Sequence, residues 1–295
     1  HMAEAFSRTA TAFLRRNSPV LALKSLRNRI VDDRFRAQGK EAGEDLAARL
    51  RAVDALCATV AFNTPWVVDI LTAAWKRNCR NVSLVVADNS SDAAARRQIE
   101  DICASRAIAY VALPPNPERN PNRSHGIAMN WTYYNVIRHV APTIFGFIDH
   151  DCFPIQPIDI PSKMIGKAAY GRRWQASGPG PAWHLWAGLC FFAFDALKDS
   201  DPDFKPLRSH GLDTGGGNWP RFYGRLDPAD VLVAGEEKLG LSVADDDSWR
   251  RIFDGTFLHL GGTSYRGKFS RSEYRALIAD HVWSNYLDAS ERLIP

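Results

Sequence analysis

Asp149 and Asp151 stand two residues apart in the stretch TIFGFIDHDCFP, residues 143–154. The run 144–148 is apolar, rich in β-favouring side chains and flanked by Pro142 and Pro154, so it predicts a buried strand of an α/β sheet. Ligands of such sheets gather beyond the C-terminal ends of the strands. Alternate residues of an extended chain point the same way, so the two carboxylates would share one hard divalent cation and leave positions open for phosphate oxygens. That chemistry suits a nucleotide diphosphate. The bland reading is a carboxylate pair capping a turn, set against the cost of crowding two acids with no cation between them. The spacing recurs at Asp199/Asp201, Asp201/Asp203 and Asp245/Asp247, in polar, Pro-containing or acidic stretches that read as solvated loops.

A strand ending in Asp149 needs neighbours. Periodicity and turn residues predict a strand over 56–62, a helix over 65–78 with Pro65 in its first turn, and an almost pure Val/Leu strand over 82–87. The cluster DNSSD (88–92) then serves as turn and N-cap for a helix to about 105. A strand over 109–113, a Pro/Asn/Arg-rich loop over 114–123 and a helix over 124–139 complete a β-α-β-α-β-α-β series, hence a mostly parallel sheet. Beyond residue 161 Gly, Trp and Arg become frequent and periodicity weakens, with no linker-like stretch, so the second half reads as an elaboration of the same domain. An apolar pattern over 270–287 predicts a helix that packs back on the body. The resulting plan is a basic helical extension over 1–45, one domain over 46–268 whose first half is 46–155, and the helix within 269–295.

Composition bounds the rest. A chain of 295 residues with 45% hydrophobic content can bury a sizeable core. His1-Met2 reads as a cloning remnant, and neither a signal-peptide pattern nor a run of 18 apolar residues follows it. Five scattered cysteines without a C-x-x-C pair predict reduced thiols and a cytoplasmic protein. The net charge of +4 is uneven: residues 1–40 hold nine Lys/Arg against Glu4, Asp32 and Asp33, a balance of +6 that leaves the remainder at −2. Such an arm, carrying Leu21, Leu23, Leu26 and Ile30, would pack on its own domain or rest peripherally on an anionic membrane or another subunit. No basic face interleaved with aromatics suggests nucleic acid.

With these elements in order, the chain resembles the nucleotide-sugar glycosyltransferases of the GT-A fold, nearest the inverting family-2-like members. The resemblance spans roughly 52–268 and rests on VSLVVADNSSD (82–92), SHGIAMN (124–130), FIDHDCFP (147–154), LDTGGGNW (212–219) and FLHLGG (257–262). It implies that Asp88, with Asn89 beside it, contacts the donor's base or ribose, and that Asp149 and Asp151 place Mn²⁺ or Mg²⁺ on the diphosphate with His259 completing the shell. It implies Asp213 as the base that deprotonates the acceptor hydroxyl, although Leu212-Asp213 stands where the family more often has Glu-Asp; Glu236/Glu237 and 245–247 are reserves. The second half, 156–268, becomes the acceptor half, and the acceptor a glycan or lipid-linked hydroxyl.

Other residues are candidates from their own chemistry. Arg266 and Lys268 on a Gly-rich loop, and Arg119, Arg123 and His125 after the third strand, would reach donor phosphates. Trp183 and Trp186 would stack on a sugar, with Gly188 letting it approach the backbone, or else anchor the core. Two rival functions are a nucleotidyltransferase, which lacks its glycine-rich phosphate loop here, and a non-catalytic nucleotide-sugar binder.

Overall fold

The structure is a computed structural model that describes residues 19–178, 180–240, 249–265 and 267–294. The chain begins with helices α1 (Pro19–Ala37) and α2 (Lys40–Arg49), then alternates: β1 (Ala55–Ala61), α3 (Pro65–Asn78), β2 (Ser83–Asp88), α4 (Ala93–Ser105), β3 (Ala109–Ala112), α5 (Pro121–Thr132) and β4 (Ile144–Asp149). These follow the expected series to within a few residues. The last helix starts three residues earlier than its periodicity suggests, because Asn120 accepts the Arg123 amide hydrogen bond and Pro121 occupies the first turn. It continues past Thr132 as a π turn, Tyr133–Ile137.

The strands β5 (Cys152–Pro154), β6 (Ala169–Gln175), β7 (Trp183–Ala193), β8 (Val231–Val233), β9 (Glu236–Gly240), β10 (Trp249–Phe253) and β11 (Phe257–His259) precede the final helix α6 (Ser272–Tyr286). One sheet has the order β3-β2-β1-β4-β7-β6-β8, parallel from β3 to β4 and antiparallel across β4/β7 and β7/β6. A second, antiparallel sheet has the order β5-β11-β10-β9. This is the mostly parallel α/β class with flanking helices that the resemblance implied.

Alternation along β4 divides the core. Phe145 and Phe147 join the cluster under α5, with Trp131, Tyr133 and Phe192, while Ile144 and Ile148 join the cluster under α3 and α6, with Trp75, Phe153 and Trp283. The region of weak periodicity supplies β7, whose eleven residues are almost all buried. Covered on both faces it shows no alternation, and without a β-branched residue it also lacks the Val-rich run that marks β2. All five cysteines are buried and unpaired. Helix α1 is tied to the body by buried Phe35 and by Asp32, which pairs with Arg123 and with Lys205 Nζ at 2.7 Å, while Leu23, Leu26 and Ile30 face solvent. Among the described residues no helix is long and apolar enough to cross a membrane.

Candidate active site

A cavity of about 1010 Å³ opens at the C-terminal ends of β1, β2 and β4. Asp149 ends β4, and a turn at residues 150–151 rather than continuous extended chain carries Asp151 to the same point. The chain then leaves through β5 into the second sheet, where β11 sets His259 opposite Cys152 and so beside Asp151, Nε2 to Oδ1 3.4 Å. One ligand atom from each of Asp149, Asp151 and His259 lies within 4.8 Å of the others, and among the described residues no other group of three His, Cys, Asp or Glu side chains converges this way. His150, one residue out of phase, turns to β1 instead: Nδ1 meets the Val60 carbonyl at 3.1 Å and Nε2 the Ser264 hydroxyl at 2.9 Å.

The electrostatics ask for a cation. Burial, with the nearby Asp151 charge adding to it, raises the Asp149 carboxyl to about 6. Asp151 is buried too, which alone would raise it, yet His259 and the Thr263 amide, 3.2 Å from Oδ2, hold it below the usual carboxylate range. Two carboxylates and one imidazole with open space in front fit a divalent ion such as Mn²⁺ or Mg²⁺; the imidazole is better suited to the first. His125 stands on the other flank, Nε2 3.7 Å from Asp149 Oδ1, and burial lowers it to about 4, so it is neutral. Asp213 lines the same cavity and accepts a hydrogen bond from Asn122 Nδ2 at 2.7 Å.

Asn89, His125, Asp149, Asp151, Trp186, Asp213 and His259 thus share one cavity, and Arg119 lies on its wall. Other expected residues lie elsewhere. Asp88 is sealed off, accepting from the Ser90 amide at 2.9 Å and the Tyr110 hydroxyl at 3.0 Å, so it shapes the turn while Asn89 and Ser90 face the cavity. Arg123 does not reach toward phosphates, because Asp32 and Glu118 capture its guanidinium. Lys268 points to the rings of Phe269 and Tyr274 rather than the cavity. Trp183 is a core anchor, 5.0 Å from Tyr223 between ring centroids. Arg266 and residues 245–247 lie outside the described residues.

Gly188 is absent from the cavity wall for a specific reason. The β6/β7 register jumps from Gly171↔Cys190 to Arg173↔Leu185, so residues 186–189 bulge out opposite Arg172. The bulge swings the Trp186 ring over Gly188, where an added Cβ would lie 2.2 Å from it, and against His259, 4.6 Å between ring centroids. Gly188→Ala should therefore lower the unfolding free energy by about 1–3 kcal/mol in a urea titration, since the ring cannot yield without pressing on Phe253 and His259. An unchanged midpoint would mean that the ring has room to move.

Sequence reasoning passed over Asn122, Thr263, Arg172, Trp174 and Arg251, all on the cavity wall. Thr263, directly after FLHLGG, was within reach of a motif reading; the rest lie on α5, β6 and β10, joined only by the fold.

Beneath the Asp213 loop lies His184, fully buried and lowered to about 4, mainly by burial. Neither ring nitrogen meets hydrogen-bond geometry among the described residues, although the Thr214 backbone lies close enough to favour the charged ring slightly. The unfolded chain takes up a proton near pH 6.5 and the folded chain only near 4, so this contribution is complete above 6.5 and lost on acidification through that window. Stability should fall by about 3 kcal/mol more between pH 7 and 4 in the parent protein than in His184→Gln, read from urea midpoints. Equal slopes would show that the ring reaches water or a partner.

No protein-family model matches the chain, and no curated protein matches it. Among solved structures it is similar to S. aureus TarS, with 14% identity over 51% of this chain and 30% of that one and a TM-score of 0.35. It is also similar to the bifunctional glycosyltransferase WbbM, at 8% identity, 62% and 39% coverage and a TM-score of 0.40. A third is the mannosyltransferase PcManGT from Pyrobaculum calidifontis, solved with GDP-Man and Mn²⁺, at 12% identity, 58% and 57% coverage and a TM-score of 0.35. The matches thus span less than two thirds of each of these proteins. Likenesses this loose bear on neither activity nor substrate, and the functional reading rests on the site itself.

Proposed function

We propose that the protein is a divalent-cation-dependent glycosyltransferase that moves a sugar from a nucleotide-diphosphate donor to a hydroxyl of a glycan or lipid-linked acceptor, with inversion. The observation that carries this reading is the convergence of Asp149, Asp151 and His259 in a cavity that also holds the separate carboxylate of Asp213. In this reading the nucleoside lies against Phe62, Asn89 and Ser90, and the donor phosphates lie between His125 and the triad. The chemistry supplied by a bound divalent cation is stabilisation of the negative charge that develops on the departing diphosphate. Asp213 takes the proton from the acceptor hydroxyl as that oxygen attacks the anomeric carbon from the face opposite the diphosphate. Asn122 orients the Asp213 carboxylate, and neutral His125 offers a hydrogen bond without adding charge.

The test is incubation of the full chain with Mn²⁺ and a panel of nucleotide sugars. Thermal stabilisation together with release of nucleoside diphosphate supports sugar transfer. Release of pyrophosphate instead points to nucleotidyl transfer, binding without turnover to a non-catalytic binder, and the absence of any cation-dependent binding removes the basis of the proposal. Determining the anomeric configuration of the product tests the stereochemistry.

A further inference from the structure

Beyond the triad the cavity ends in a group of cations. Glu236 holds two guanidiniums at once, Oε2 to Arg172 Nε at 2.8 Å and Oε1 to Arg251 Nη1 at 2.9 Å. Two cations on one carboxylate leave a surplus positive charge, and both arginines line the cavity. The register of the second sheet places Lys238, Arg251 and His259 opposite one another in a single cross-strand row. Lys238 and Arg251 are like charges directly opposite on an antiparallel ladder, and such a pair repels, so positive charge is concentrated at this end. Arg172 also lies over the Trp174 ring, 4.4 Å from its centroid, and 5.8 Å from that of Trp186, so its fork is held in place by stacking. Trp174 is 37% exposed and lines the same wall.

Position says which substrate would meet these cations. Along the sheet the cavity runs from Asn89 after β2, past β1, to the triad at β4, then to Trp186 on β7 and Arg172 and Trp174 on β6. Four interstrand steps separate β2 from β6, about 19 Å at the usual strand spacing. With the nucleoside at the β2 end and the diphosphate at β4, the transferred sugar falls beside Trp186 and the guanidiniums lie one layer farther on.

We infer that this far end is an acceptor subsite for an anionic carbohydrate, one whose carboxylate or phosphate is taken by Arg172 and Arg251 while its apolar face rests on Trp174. The assignment of the anion to the acceptor rests on the glycosyl-transfer reading above; the anion subsite itself does not. Guanidinium pairs recognise planar carboxylates and phosphates through charge-assisted hydrogen bonds.

The experiment compares matched ligands, methyl β-glucuronide against methyl β-glucoside and glucose 6-phosphate against glucose, titrated into the full chain saturated with Mn²⁺ and UDP or GDP. One charged member should bind about 10-fold tighter than its neutral partner, and rising salt should narrow the gap. Arg172→Gln and Arg251→Gln should each remove the preference while keeping nucleotide binding and the melting temperature. Equal binding of charged and neutral partners overturns the subsite, as does a preference that survives in both variants. An Arg-dependent preference for UDP-glucuronate over UDP-glucose would assign the guanidiniums to the donor sugar and overturn the acceptor assignment. The same titrations in EDTA without nucleotide test the anion subsite by itself: an Arg-dependent preference there, in a protein that binds no nucleotide when Mn²⁺ is supplied, keeps the anion subsite and defeats glycosyl transfer.

Discussion

Asp151→Ala should abolish Mn²⁺-dependent nucleotide-sugar binding, weakening it by about 100-fold or more in calorimetric titrations of the donor with and without the cation. Of the two clustered carboxylates Asp151 is the one held ionised, because His259 and the Thr263 amide and hydroxyl all favour its charge. Without it Asp149 stands alone in a buried setting that by itself still raises its carboxyl, and His259 loses its partner at 3.4 Å. One buried carboxylate and one imidazole are a poor site for a hard cation that prefers charged oxygen ligands. The fold should survive, since the substitution also removes the repulsion between the two acids, and circular dichroism would check this. A variant that binds donor normally with Mn²⁺ present would remove the role given to the triad.

Asp213→Asn should leave donor binding intact and lower turnover by about 100-fold or more, the usual scale for losing a general base. Asparagine keeps the size of the side chain and an oxygen to accept from Asn122, and Thr214 remains bound to the Asn122 carbonyl at 3.0 Å, so the loop should hold its shape. What disappears is the capacity to take a proton. A fall in kcat at constant donor Kd would place the loss in the chemical step; unchanged kcat would mean that the proton leaves by another group. Comparing the two variants separates their roles, since the first should fail at binding and the second only at turnover.

Much of the framework was legible because it is local. Runs such as SLVVAD and IFGFID, punctuated by Pro65 and Asp92, carry their own strand signals and helix starts, and β1 through β4 follow from them. The two acids at the end of an apolar strand came from the same source, whereas His259 entered only through the family resemblance. The errors are tertiary. Arg123 had the right charge near the cavity mouth, yet it lies in the first turn of α5 and Asp32, 91 residues earlier, captures it. Gly188 was read as room for a sugar, whereas a bulge in β7 fills that room with the Trp186 ring.

Short apolar runs bounded by turn residues suffice to mark the strands of the parallel half, buried on both faces, and the acids at their ends. Pattern along the chain carries no record of which distant strands become neighbours. The row Lys238–Arg251–His259, the shared Glu236 and the wall of Trp174 and Trp186 exist only because β9, β10 and β11 pair and β6 folds back beside β7. Such contacts are fixed by packing between segments far apart in sequence, where electrostatic fit and close approach, rather than residue order, choose the partners.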